Sequence, residues 1–202
     1  MKKILHVISS PRGKASYSIK LGNEIVEKLK QAYPGSTVKE TNLVDHHFPH
    51  LEESHITSFF TPAENRTAEN KEAIRHSDES IHDIMEADII VIGAPMYNFS
   101  IHSALKAWFD HIVRKGVTFS YDSNGPQGLV QGKKVYVALS SGGVYSEGAM
   151  QSYDFVTSYL RFMLAFIGMT DITIFRVEGT SVPGIQETAW EKAVSSLAHL
   201  SA

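Results

Sequence analysis

Ile89-Ile90-Val91-Ile92-Gly93-Ala94-Pro95-Met96-Tyr97-Asn98-Phe99-Ser100-Ile101-His102 is the stretch that decides the fold. Four branched apolar residues in a row read as a strand buried on both faces. Beyond the aromatic segment that follows, Leu105, Trp108, Phe109, Ile112 and Val113 recur at helical spacing. Working outward, similar strand runs occupy Ile4 to Ile8, Val135 to Leu139 and Ile172 to Val177, with a weaker one near Thr37 to Val44. Between and after them lie helical patterns: Ile25, Val26 and Leu29; Ile74, Ile81, Ile84 and Met85; Phe155 to Ile167; Trp190, Val194 and Leu197. A parallel crossover needs a helix to return the chain, so this alternation predicts an α/β fold, a doubly wound five-stranded parallel sheet with helices on both faces. Two segments break the rhythm. Residues 45–66 form a polar insertion, and Val117 to Pro126 read as a β-hairpin in which Asn124-Gly125 supplies the turn's positive φ.

The 202 residues, 43% of them hydrophobic, suit one domain over residues 1–202. With 19 basic and 22 acidic side chains the net charge is −3, which gives no basic excess for a nucleic-acid partner. No cysteine is present, so disulfides and thiolate chemistry are excluded and a reducing cytoplasm is the expected setting. No run approaches the roughly 20 apolar residues of a membrane span, so no membrane association is expected.

In an open parallel sheet, ligands bind beyond the strands' carboxyl ends, where strand order reverses. Three segments there carry the chemistry. The first strand leads into Ser9-Ser10-Pro11-Arg12-Gly13-Lys14-Ala15-Ser16-Tyr17-Ser18 and a helix. Hydroxyls at Ser10, Ser16 and Ser18, with a helix N-terminus behind them, suit an anion. Neither G-x-G-x-x-G nor G-x-x-x-x-G-K-[ST] occurs, which favours a terminal monophosphate over a pyrophosphate or triphosphate. Ser16 and Ser18 are equally good helix N-caps. Met96, Tyr97 and Phe99 place large apolar faces at the third strand's end and Asn98 adds a donor and an acceptor, together a bed for a flat heteroaromatic ring. Ser140-Ser141-Gly142-Gly143 then lets backbone N–H groups approach such a ligand closely.

These residues resemble the FMN-dependent NADH azoreductases, also described as NADH:quinone oxidoreductases, of the flavodoxin-like superfamily. The resemblance is carried by Ser9-Ser10 with Ser16-Tyr17-Ser18, by Ala94-Pro95-Met96-Tyr97-Asn98-Phe99, by Gly116-Val117-Thr118-Phe119 with Tyr121, by Asn124-Gly125-Pro126, and by Ser140 with Gly142-Gly143. It implies noncovalent FMN, with Ser10 and Ser16 to Ser18 on the phosphate and Met96 to Phe99 and Ser140 to Gly143 around the ring. It also implies NADH, with NADPH as a second possible donor, and ping-pong transfer of two electrons to a quinone or azo acceptor. Phe162 is implied to face the flavin. Relatives in this family often carry a basic residue where Ser141 stands and a histidine where Tyr145 stands, so that side-chain charge is missing from the pocket here. No side chain is assigned as catalytic, since the flavin carries the chemistry.

Phe60 and Tyr121, one aromatic in each insertion, are expected to lid a neighbouring subunit's pocket in a homodimer, with Tyr145 and Phe162 completing the substrate side. Core packing is the default for Phe162, Met163 and Phe166. His46, His47 and His50 lack the spacing of a metal site, so no metal is expected. His102 and His111 are expected to be surface or hydrogen-bonded histidines. The alternative function is a non-enzymatic FMN electron carrier of the flavodoxin type, which should be acidic around its flavin; the loops expected there contain no Asp or Glu before Glu147.

Overall fold

The computed structural model describes residues 1–45 and 48–200. Five strands pair in parallel: β1 (Lys3–Ile8), β2 (Thr37–Asn42), β3 (Ile89–Tyr97), and the two strands numbered β7 (Lys134–Ser140) and β8 (Asp171–Val177) in chain order. Their spatial order is β2-β1-β3-β7-β8. The order reverses between β1 and β3, which makes the gap beyond their carboxyl ends the switch point. A two-residue strand, β4 (Ser100–Ile101), returns antiparallel against β3.

Alternation along each buried strand sends successive side chains to opposite faces. On one face Ile4, Ile89, Val91, Tyr136 and Ala138 pack against Leu21, Ile25 and Leu29 of α1 (Tyr17–Ala32) and Ala189 and Ala193 of α7 (Gln186–Ser196). On the other, Leu5, Val7, Ile90, Ile92 and Val137 meet three helices. These are α4 (Arg75–Glu86), α5 (Ser103–Ile112) and α6 (Phe155–Phe166), contributing Ile84, Trp108, Phe109 and Leu164 among others. The double winding is as expected. Met85 departs from its predicted face, standing 37% exposed beside buried Ile84.

Three local differences bear on the site. The strand predicted over Ile89 to Ile92 continues to Tyr97, because Gly93, Ala94 and Pro95 keep pairing with Ala138, Leu139 and Ser140. What reads as a loop is therefore a tight hairpin. The polar insertion contains α2 (Glu53–Phe60), whose N-terminus is closed by a capping box between Glu52 and His55, followed by the short α3 (Ala68–Ala73). The hairpin is present as β5 (Phe119–Asp122) and β6 (Gly125–Gly128), with Asp122 opposite Gly125. Its two turn residues are thus Ser123 and Asn124, and the positive φ, 108°, falls on Gly125 alone. No helix among the described residues is long and apolar enough to cross a membrane.

Candidate functional site

The loop after β1 packs down through Ser9, whose hydroxyl donates to the Gly93 carbonyl at 2.7 Å and ties the loop to β3. Ser16 is the N-cap of α1, accepting from the Ile19 N–H at 3.5 Å, while its hydroxyl lies 3.0 Å from that of Ser18. The first α-helical bond runs from the Lys20 N–H to the Ser16 carbonyl at 3.1 Å, so the Tyr17 and Ser18 amides precede it and have no intrahelical acceptor. Ser10, Ser16 and Ser18 are all buried. Ser18 touches Ser16 through its hydroxyl and, unlike Ser10 and Ser16, does not line the recess described below.

β3 and β4 are joined by Asn98 and Phe99, with φ of 48° and 66°. Positive φ at both central positions is the mirror-image turn that fits strand twist, but a bulky residue in the second position is strained by about 1–3 kcal/mol. The turn holds Phe99 out, 44% exposed, against Tyr145 at 6.2 Å and Tyr153 at 6.0 Å between ring centroids. Tyr97 turns the other way, its ring 5.5 Å from that of His102. His102 is the N-cap of α5, its Nδ1 accepting from the Ala104 N–H at 3.2 Å, and burial lowers its pKa.

The segment after β7 is held from below. Ser141 N–H donates to the Val177 carbonyl at 2.9 Å, and Gly179 and Ser181 amides donate to the Gly143 and Gly142 carbonyls at 3.0 and 2.9 Å. The Gly142 and Gly143 N–H groups have no protein acceptor among the described residues. Neither glycine has a positive φ; a Cβ would come 3.1 Å from Ser181 Oγ at Gly142 and 3.0 Å from the Tyr145 ring at Gly143. The glycines thus make room for the protein's own neighbours while leaving their amides free.

All three segments converge. Ser10, Ser16, Tyr17, Met96, Tyr97, Ser140, Ser141 and Gly142 line one recess of about 70 Å³, together with Arg12, Pro95 and Thr180. Thr180 was not anticipated, and a lone threonine after Gly179 has no signature that would have found it. Asn98 lies instead on a wider adjoining cavity of about 580 Å³ that shares Tyr97 and includes His102, Lys106 and Tyr159. Phe99 and Gly143 join through Tyr145, whose ring packs on both.

The expected substrate-side residues divide. Tyr121 packs on Phe119 at 5.7 Å, Phe119 on Phe166 at 4.7 Å, and Phe166 stacks on Phe162 at 6.1 Å, so Tyr121 and Phe162 end one continuous row of rings. Phe162 is 65% exposed, against the default of core packing, because its turn of α6 faces away from the sheet. Phe60 is 74% exposed at the end of α2 and joins none of these rings. His111 is of the hydrogen-bonded kind at one ring nitrogen. It is wholly buried, with Nε2 3.0 Å from the Pro49 carbonyl and Nδ1 without a partner, and burial pushes its pKa down to about 4. His46 and His47 lie outside the described residues, and His50 is exposed. The described residues contain no group of three or more His, Cys, Asp or Glu that could hold a metal.

A 2-1-3-4-5 parallel sheet whose switch point is walled by a hydroxyl-rich helix start, an aromatic hairpin and a bare-amide loop defines a mononucleotide-type site on a doubly wound fold. The profile of the family described as "Flavodoxin-like fold" matches residues 2–200, and the chain belongs to that family. It is 49% identical over 182 residues, 90% of this chain and 89% of the relative, to a protein named FMN-dependent NADH:quinone oxidoreductase from Herminiimonas arsenicoxydans. Among solved structures it is similar to an azoreductase from Bacillus anthracis str. Sterne, with a TM-score of 0.91, 29% identity and coverage of 99% and 98% of the two chains. It is also similar to an FMN-dependent NADH-azoreductase from Bacillus anthracis str. Ames Ancestor in complex with FMN, with a TM-score of 0.86 and 26% identity over the whole of both chains.

Proposed function

We propose that this chain is an FMN-dependent oxidoreductase that passes two electrons from NADH, or NADPH, to quinone and azo acceptors. The observation that carries the reading is the convergence of the β1, β3 and β7 ends on one recess at the switch point. The names of the relatives support it.

The residues present fit the cofactor. Ser10 and Ser16 hydroxyls, the Tyr17 and Ser18 amides at the start of a 16-residue helix, and Arg12 form an anion cradle sized for a monophosphate. Met96 and Tyr97 supply a flat apolar flank, and the unengaged amides of Gly142 and Gly143 suit a ring edge that accepts hydrogen bonds and negative charge. FMN, when bound, supplies the two-electron chemistry. The chain's part is to orient, to exclude water, and to keep charged side chains out of the ring site. His102 serves as a cap, its Nδ1 accepting from the Ala104 amide. Phe99, Tyr145 and Tyr153 offer ring faces on which a nicotinamide or a quinone can stack in turn, so one slot serves donor and acceptor.

The same reading includes a homodimer, in which exposed Phe60 and Tyr121 cover a neighbour's pocket, and a cytoplasmic setting that suits a cysteine-free chain. Steady-state kinetics of FMN-reconstituted protein with NADH and benzoquinone test the function. Parallel double-reciprocal lines are expected. Intersecting lines exclude the shared slot, and no NADH-dependent quinone reduction overturns the assignment.

A further inference from the structure

Ser146 to Tyr153, between the β7 loop and α6, are exposed throughout and bury almost nothing of their own. Yet the two rings that flank Phe99, Tyr145 and Tyr153, sit at the two ends of this strap. Its ends are fastened by carboxylates. At one end Glu178 Oε1 accepts from the Tyr145 N–H at 2.9 Å. At the other Asp154 caps α6, accepting from the Thr157 N–H at 2.8 Å and the Thr157 hydroxyl at 2.6 Å.

One guanidinium joins the two. Arg176 on β8 donates from Nη1 to Glu178 Oε1 at 3.2 Å and from Nη2 to Asp154 Oδ2 at 2.8 Å, and Nη2 also reaches the Thr157 hydroxyl. The side chains of Arg176, Glu178 and Asp154 are only 20%, 12% and 6% exposed, so water screens the network little. Burial pushes the Asp154 carboxyl up, but the bonds from Thr157 and Arg176 outweigh it and hold its pKa below the usual range. A planar fork can serve two acceptors in fixed directions, which a lysine ammonium cannot match. Arg176 pairs across the sheet with Leu139, one residue before the Ser140 loop begins, so its anchor is a rigid strand.

We infer that Arg176 is a positioning residue for the acceptor slot, fixing both ends of the strap so that Tyr145 and Tyr153 stand against Phe99. Arg176 touches neither the recess nor the rings; it acts through Glu178 and Asp154. The inference rests on the proposed quinone reductase activity only for its kinetic arm.

The test uses full-length, FMN-reconstituted protein and three variants: Arg176→Met, Arg176→Lys and Glu178→Met. In Arg176→Met, amide exchange at Tyr145 and Thr157 should quicken at least tenfold while β1 and β3 amides are unchanged. The KM for benzoquinone should rise at least fivefold and the FMN dissociation constant should stay within twofold. Arg176→Lys should restore part of both effects, and Glu178→Met, which leaves the Tyr145 N–H without its side-chain acceptor, should free Tyr145 but not Thr157. Unchanged exchange at both ends, or faster exchange with an unchanged benzoquinone KM, overturns the proposal. Should Arg176→Met fail to fold, the other two variants decide by the same readings. Wild-type protein that holds FMN without reducing benzoquinone overturns the activity alone, and the exchange comparison then still decides whether Arg176 fixes the strap.

Discussion

Phe99 carries backbone strain at φ 66° in order to present a half-exposed ring. Replacing it by Asn, which tolerates that conformation, relieves part of a cost of about 1–3 kcal/mol. It also removes two ring contacts of about 0.5–1.5 kcal/mol each. These magnitudes nearly cancel, so Phe99→Asn should leave the urea-derived unfolding free energy within about 1 kcal/mol of wild type while raising the benzoquinone KM severalfold. A large loss of stability would show that Phe99 is a packing residue instead. His6 sets a pH dependence. Burial pushes its pKa from 6.5 to about 4, and Nε2 has no partner. The unfolded chain therefore binds a proton that the folded chain refuses between those values. Stability is complete above the unfolded pKa and falls as pH drops toward about 4, by roughly 3 kcal/mol for this residue. His111 adds a loss of the same sign. His6→Gln should flatten the urea-derived stability curve across that window by about one proton's slope; an unaltered slope would contradict the assignment.

At the scale of elements, the β5–β6 hairpin is joined to α6 by close backbone approach as well as by rings. A Cβ on Gly128 would lie 2.2 Å from the Gly168 nitrogen, just past the end of α6. Gly128→Ala must push the hairpin off, separating Phe119 from Phe166 at a cost of about 1–3 kcal/mol, and should raise the benzoquinone KM without altering FMN retention. Calorimetry and steady-state kinetics check both halves. All five parallel strands were legible in the chain: β3 and β7 as unbroken apolar runs at Ile89 to Ile92 and Val135 to Leu139, β1 and β8 as apolar runs interrupted by His6 and by Thr173 and Arg176, and β2 as the weaker run near Thr37 to Val44. The rest of β3 was not, since Pro95, Met96 and Tyr97 look like loop chemistry and are strand only because β7 and β4 pair with them. α2 hid in a polar insertion because its helix is short and only His55 and Ser58 of it are buried.

Across the whole molecule, the recess-forming residues of the β1, β3 and β7 ends were legible because function at a switch point concentrates in a few carboxyl-end segments. What joins distant segments was not legible: Thr180 reaching the recess from the β8 loop, and Arg176 bridging Asp154 and Glu178 across 22 and 2 positions of sequence. Such pairs leave no local pattern. The exposure of Phe60 and Tyr121 belongs to the same scale, and sedimentation at micromolar concentration should give twice the 22.4 kDa chain mass. A fully active monomer would contradict the shared pocket. Retention of the cofactor should depend on the start of α1: Ser16→Ala removes a cap and a phosphate donor, which is expected to weaken FMN binding by at least tenfold, since a hydrogen bond to a charged group contributes about 1.5–3 kcal/mol. The most direct test of the central claim is to denature the purified protein, after incubation with excess flavins and gel filtration, and identify what is released. One FMN per chain is the predicted result, and FAD or no flavin at all would contradict the account.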